Sequence, residues 1–433
     1  MSEKERIREN VLSNRNYRLV FLGALISELG ALIYSFVVSF HILELTGNSA
    51  SLQGLYLGLC GFALLIFTPV GGVLGDRFNK AAIMYVCDLL KGGLIILATL
   101  MMTGQQRQGQ LIILFLIGIL GNAVSGIFSP AANSLLPHIV REDQLQQANA
   151  CFSIKTSLVN ILGIILAGIL YGLFPVNALF LLVGFCYAAS GISEMLIRYE
   201  HQPSDQPLTL KLAVSDMREG IVYLKGRRSI VTLLAAILFI NFFITPVTGN
   251  FMPYFIRTDL ANAPSYFLSN VLTPELWSSV FSVFYGVSSL LAAAFISAEP
   301  APEKCGHRVA LNICALAGVI IVLTGGYWLL VDRGISLNGF LVIFCLTALA
   351  MGVLLCFINI PITTVMMRII DRDMLSKVTS ITSVGSQGMI PLASLAAGVI
   401  IEALGVTSLL ALCATGFTVT ALLLLSSRSF REL

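Results

Sequence analysis

The chain has 433 residues, a net charge of +3, and 57% hydrophobic against only 11% charged residues. Soluble domains carry roughly 25% charged residues, and a soluble chain with this much apolar surface would expose large patches and aggregate. The small net charge also excludes the strongly basic face on which nucleic-acid binding depends.

About 20 apolar residues cross a hydrocarbon core of ~30 Å as a helix. Apolar stretches at 18–43, 50–74, 81–103, 111–131, 148–173, 177–198, 229–256, 276–298, 309–331, 338–360, 379–403 and 407–427 therefore predict an all-α membrane protein of twelve transmembrane helices. The segment Met1 to Arg18 holds three Glu among five basic residues. That pattern does not fit a cleavable signal peptide, so the first span is expected to stay as an anchor.

Span one carries Glu28 about ten residues in, or ~15 Å at the helical rise, among Leu25, Ile26, Leu29 and Leu32. A charge at the bilayer centre costs ~2.5–3.5 kcal/mol on insertion scales and so requires a reason. A carboxyl there can take a proton from one side and release it to the other, bind a cationic substrate, or serve only as a hydrogen-bonded structural group. In span three, Asp88 and Lys91 are three residues apart and share a helical face; they are expected to neutralise each other, with coupling as the alternative. Lys155 in span five is expected to snorkel to the interface, to pair with Asp88 or Glu28, or to read an anionic cargo. Glu194 and Glu402 lie near span ends and read as interfacial.

The longest polar interval runs from Arg198 to Ser229 and divides the chain into halves of six spans: 1–198, a linker at 199–228, and 229–433. After Pro207, the spacing of Leu210, Val214, Met217, Ile221 and Leu224 predicts an amphipathic helix. Ser129-Pro130 followed by Arg141-Glu142, and Ile360-Pro361 followed by Arg372-Asp373, form a weak repeat at one offset. Paired halves around a central site are a transporter architecture. The C-terminal half offers polar Asn241, beside Pro246, and Gln387 between Gly385 and Gly388. These are cavity candidates, with interhelical hydrogen bonding as the plain alternative. The outer connection 257–275 is either a lid or a surface excursion.

Of the 26 Lys and Arg, 21 fall on the side of the termini, which predicts cytoplasmic N- and C-termini by the positive-inside rule. Eight of the nine Cys lie within spans and Cys305 lies in a loop. With no CxxC or Cys/His ligand spacing, neither disulfides nor a metal site is expected. No Walker loop occurs, so ATP should not drive the protein. An intramembrane enzyme would need a nucleophile with a base at its depth; His41 is the sole in-span His, and Ser386 has no evident partner.

Between spans two and three the chain reads Gly72-Val73-Leu74-Gly75-Asp76-Arg77-Phe78-Asn79-Lys80. This resembles the loop signature of the major facilitator superfamily, Gly-x-Leu-small-Asp-Arg-x-Gly-Arg-basic. Gly72, Leu74, Gly75, Asp76 and Arg77 match, Lys80 matches in charge, and Asn79 replaces the Gly as a residue that also accepts a left-handed backbone. Asn16-Tyr17-Arg18-Leu19, Leu43 to Gly47, Phe128 to Ala131, Leu135 to Pro137, Ala148 to Ala150 and Met217 to Ile221 are similar to enterobactin exporters and macrolide-efflux pumps. The resemblance implies the major facilitator fold. It also implies a conformational latch of Gly72, Asp76, Arg77 and Lys80, in which Asp76 meets the cytoplasmic start of span eleven. Gly163-Ile164 stands where proton antiporters of the family often have Gly-Pro, a departure that weakens the case for antiport.

The combined expectation is a secondary active transporter, not an enzyme. It would export a small amphiphilic molecule against protons, as drug-resistance antiporters do, from within the bilayer of the cell membrane as a monomer. No cofactor is expected. A lysolipid or lipid-like cargo is the alternative.

Overall fold

The computed structural model describes residues 11–141, 144–198, 218–298, 306–332, 334–427 and 430. Among these residues the regular structure is helical throughout, with no strand. The helices are α1 (Arg15–Leu45), α2 (Ala50–Arg77), α3 (Lys80–Met102), α4 (Arg107–Ile139), α5 (Leu145–Leu173) and α6 (Val176–Met195). They continue as α7 (Arg228–Leu260), α8 (Pro274–Ala298), α9 (Gly306–Val331), α10 (Leu337–Ile369), α11 (Arg372–Leu404) and α12 (Val406–Ser426).

All twelve contain a stretch long and apolar enough to cross a membrane, and between 22% and 50% of each stretch is buried within the protein. Much of the remainder is apolar and outward-facing: Leu97, Leu100, Ile112 and Leu116 are examples. Such faces suit lipid, where a helix satisfies its own backbone groups and no open sheet edge is tolerated. This is a multi-pass membrane protein.

Several helices run past the apolar limits. Helix α4 continues through Pro130 and Pro137 to Ile139, and α10 through Pro361 to Ile369. Helix α7 changes winding at Pro246, where residues Pro246–Phe251 and Ile256–Leu260 are π-helical. Proline supplies no N–H to the regular ladder, and π turns are a usual way for a helix to absorb such an interruption. The outer connection thus begins after Leu260, not at Arg257. It is tied down: Phe267 N donates to Asn338 Oδ1 at 2.7 Å, Tyr266 OH to the Leu272 carbonyl at 2.8 Å, and Arg257 pairs with Glu275 at 3.4 Å.

By their contacts, residues 1–45 and 59–211 form one unit, and residues 46–58 and 212–433 a second. In unit 1 the start of α1 is stitched to three neighbours. Asn14 Nδ2 donates to the Ile139 carbonyl at 2.8 Å, Asn16 Nδ2 to the Arg198 carbonyl at 2.7 Å, and Tyr17 OH to the Ala148 carbonyl at 2.9 Å. The Asn16-Tyr17 pair quoted for the family resemblance is therefore a structural fastening. Tyr17 is fully buried. Removing its hydroxyl loses a buried hydrogen bond, which costs about 0.5–1.5 kcal/mol, while the Ala148 carbonyl keeps its place in the helical ladder of α5. Tyr17→Phe should accordingly lower the thermal unfolding temperature in detergent, while Tyr85→Phe serves as the comparison.

In unit 2, the short helical stretch at 218–224 meets the start of α11. Tyr223 OH donates to Asp371 Oδ2 at 2.9 Å and Arg227 pairs with the same oxygen at 3.0 Å. The earlier part of the expected amphipathic helix, including Leu210, Lys211, Val214 and Met217, lies outside the described residues, as do Glu142 and Cys305. Also within unit 2, the first turns of α2 lie tight on α11. A Cβ on Gly54 would come 3.0 Å from Gly398 Cα, and Glu402 accepts from Ser49 Oγ and Ser51 N, each at 3.0 Å. Glu402 is exposed at its helix end, in keeping with an interfacial place.

Candidate functional site

Glu28 lies 13 residues into the 31-residue α1, or about 20 Å along it at 1.5 Å per residue. Lys155 lies 10 residues into α5. Lys155 Nζ donates to Glu28 Oε1 in an ion pair between the two helices. Phe152 lies beneath the ammonium, 4.7 Å from it. The partners differ in exposure: the Lys155 side chain is 1% exposed and that of Glu28 is 40% exposed. Lys155 therefore does not snorkel. An ion pair inside the bundle satisfies the ammonium without a reach to the headgroups, and of the expected partners Glu28 is the one it meets.

Glu28 opens onto a cavity of about 140 Å³ inside unit 1, together with Ser27, Asp88, Lys91, Ser125 and Tyr187. Asp88 and Lys91 reach it from α3, Ser125 from α4 and Tyr187 from α6. Asp88 and Lys91 make no direct hydrogen bond to each other. Lys91 Nζ donates to Ser125 Oγ at 2.7 Å and lies 4.4 Å over the Tyr187 ring, while Asp88 Oδ2 has no hydrogen-bond partner. Ser125 and the aromatic face hold the Lys91 ammonium, a cation–π contact adding to the hydrogen bond.

The helices come this close because glycines line the crossing. A Cβ on Gly92 would stand 2.7 Å from the Gly184 carbonyl, and one on Gly191 would stand 2.8 Å from Leu89. Asp88 sits within this α3–α6 seam at 3% exposure. Glu194 departs most from its sequence reading. It is near the end of α6 yet 0% exposed, enclosed by the helices rather than turned outward. Gly23 of α1 covers it, with no side chain to push it out: a Cβ there would be 3.3 Å from Glu194 Cγ.

The remaining expected site residues are not among those lining the cavity. Gly72 has open space around its Cα, Arg77 is exposed at the end of α2, and Lys80 Nζ is 3.3 Å from His138 Nε2. Asp76 occupies the last turn of α2; its side chain lies outside the described residues. Asn79 is not left-handed, having φ −59°; it caps α3 instead, its side chain accepting from Ala81 N and Ala82 N at 3.0 and 3.2 Å. A side-chain acceptor at a helix N-cap explains Asn there better than backbone freedom does. In unit 2, Asn241 donates to the Ile237 carbonyl of its own helix at 2.9 Å, Pro246 is buried at the first π turn, and Gln387 is exposed on α11. Asn250, another polar residue of α7, is fully buried, its Nδ2 donating to the Ser394 carbonyl at 3.3 Å.

Among the described residues no group of three His, Cys, Asp or Glu is placed to hold a metal. The arrangement is that of acids and bases around a cavity of about 140 Å³ between helices of unit 1. Residues 20–272 match the family model described as Major Facilitator Superfamily.

The chain belongs to the Major Facilitator Superfamily.

Its relatives agree. An uncharacterized MFS-type transporter of Bacillus subtilis, YkuC, is 23% identical over 380 residues, covering 86% of this chain and 82% of that protein. Macrolide efflux protein A of Streptococcus pyogenes is 22% identical over 323 residues, covering 71% and 78%. Among solved structures, a bacterial homologue of the iron transporter ferroportin in an inward-facing state superposes with a TM-score of 0.69 at 15% identity, covering 95% of this chain and 98% of that one. The nucleoside transporter NupG gives 0.72 at 14% identity, covering 95% and 99%. The fold is thus shared with transporters of different cargo. The superfamily chain is a transporter and not an enzyme.

Proposed function

We propose that this transporter couples the export of a small amphiphilic organic molecule to proton entry, by alternating access, as a monomer in the cell membrane with both termini cytoplasmic. Residues 1–198 and 229–433 would be its two halves, joined by 199–228. The observation that carries this reading is the Glu28–Lys155 ion pair, with one partner sealed and the other open to a cavity. A proton arriving through the cavity adds to the exposed Glu28 carboxylate and cancels its charge. Lys155 then loses its partner in a medium where an isolated charge is strongly disfavoured. The bundle must respond, either by admitting water to Lys155 or by shifting α5 against α1. A cationic group on the cargo would compete with Lys155 for the same carboxylate, so proton and cargo would exclude each other. That exclusion is the requirement for antiport.

The size of the cavity sets a limit. Drug-sized ligands occupy pockets of about 300–1,000 Å³, and this one holds about 140 Å³. It can host the charged end of a cargo, or water and a proton, but not a whole drug-sized molecule. Similarity to macrolide efflux proteins supports an amphiphilic drug as cargo. The test is accumulation of a labelled macrolide in proteoliposomes of the purified protein. An imposed pH gradient should drive uptake into inverted vesicles and a protonophore should abolish it. Uptake indifferent to the gradient would reject proton coupling, and absence of saturable uptake across a panel of amphiphilic drugs would reject the cargo class in favour of the lysolipid alternative.

A further inference from the structure

We infer that Glu194 is a proton-binding site of its own, set behind the cavity and in communication with it through Asp88. The charges leave one acid without a counterion. Glu28 is matched by Lys155, and the two form a neutral pair. Among the described residues lining the cavity the cation is Lys91, and the acids of the α3–α6 seam are Asp88 and Glu194. Asp88 is three residues from Lys91 on α3 and lines the same cavity, so the Lys91 charge falls to Asp88. Glu194 is completely buried, and neither of its carboxyl oxygens has a hydrogen-bond partner. A carboxylate in that position would lack water, hydrogen bonds and a countercharge together, and would also face a second carboxylate. Any one of these disfavours ionisation, and like-charged neighbours favour one proton held between them.

The elements packed around the site offer Glu194 few charged groups. Helix α3 contributes Cys87, Asp88 and Lys91. Helix α1 contributes Gly23, which touches Glu194, and Glu28, which is committed to Lys155 of α5. Helix α6 itself contributes Tyr187, whose ring lies under Lys91, and Ser190. None supplies a free positive charge to Glu194. A metal ion is a poor alternative, since no group of three ligands is assembled among the described residues.

Asp88 links this site to the cavity. It lines the cavity on one side, and its Oδ2 is unpartnered within the same seam as Glu194. Neither carboxyl hydrogen-bonds the other as they stand, so release requires the Glu194 side chain to turn toward Asp88; the Glu194 O–H bond then breaks as one forms on Asp88, which can pass the proton to water in the cavity. The site deepens the proton-coupling reading above by adding a second carrier to Glu28.

The measurement needs neither cargo nor flux, so its failure is distinct from failure of that reading. Infrared spectra of the full-length protein in lipid nanodiscs at neutral pH should show the carbonyl stretch of a protonated carboxyl. Glu194→Gln should remove that band, Glu194→Asp should shift it, and Glu28→Gln should retain it. Wild-type protein lacking the band overturns the inference without any variant. A band unmoved by either Glu194 substitution overturns it equally.

Discussion

Glu28→Gln is expected to abolish gradient-driven transport and to destabilise the protein by about 3 kcal/mol, whereas Lys155→Gln should cost about 1 kcal/mol. The asymmetry follows from exposure. Breaking a buried ion pair costs ~3–5 kcal/mol when the survivor is a buried, uncompensated charge. Removing the Glu28 charge strands Lys155, whose side chain is 1% exposed. Removing Lys155 strands a carboxylate that is 40% exposed to the cavity, where solvent screens it and the pair's worth falls toward the ~0–1 kcal/mol of exposed pairs. Glu28→Gln/Lys155→Gln should recover most of the stability lost in Glu28→Gln alone, because both partners are then neutral and can hydrogen-bond. It should not recover coupling. Thermal unfolding of the three variants in one detergent checks the order; equal losses in both single variants would contradict the assigned burial.

Gly92→Val is expected to be the most damaging single change in the α3–α6 seam. A Cβ at this position meets the Gly184 carbonyl at 2.7 Å and Ala188 N at 3.0 Å. Both are backbone atoms of α6, which cannot rotate aside as a side chain does, so the helices must part. Overpacking a well-filled core costs typically ~1–3 kcal/mol. Here the cost should reach or exceed the top of that range, because parting the helices also opens the surroundings of Asp88 and Lys91 on α3. Gly93→Val is the control: the adjacent glycine has nothing within 4 Å of its Cβ direction and is exposed. The measurement is the folded yield and unfolding temperature of the two variants. Similar behaviour of both would mean that the seam is looser than the geometry indicates.

The twelve spans were legible because lipid imposes length and composition together, and both are local properties of sequence. The loop Gly72 to Lys80 was legible as a family signature, but the reason for Asn79 was not: left-handed tolerance and N-capping both favour Asn, and only the backbone angle separates them. The Glu28–Lys155 pair stood among three alternatives for Lys155. Its partners are 127 residues apart, and which helices adjoin is a tertiary matter. Glu194 was hidden by its position one residue from the end of α6. Depth along a helix suggests exposure at its ends, and here a neighbouring glycine defeats that rule. Gly23 was the available signal, though a lone glycine in an apolar span does not say what it makes room for. Ser125 and Tyr187 carried no distinguishing pattern, since a serine and a tyrosine in membrane helices are ordinary packing residues until a lysine is found between them.

The central claim is that a proton on Glu28 and the cargo are mutually exclusive. It is tested most directly by trapping a pH-sensitive dye inside proteoliposomes and adding cargo on one side without an imposed gradient. Wild-type protein should move protons against the cargo's flow, while Glu28→Gln, whose neutral side chain stands for the protonated state, should lose labelled-cargo exchange and move no protons. Proton movement undiminished in Glu28→Gln, or wild-type cargo flux with no accompanying protons, would contradict the account.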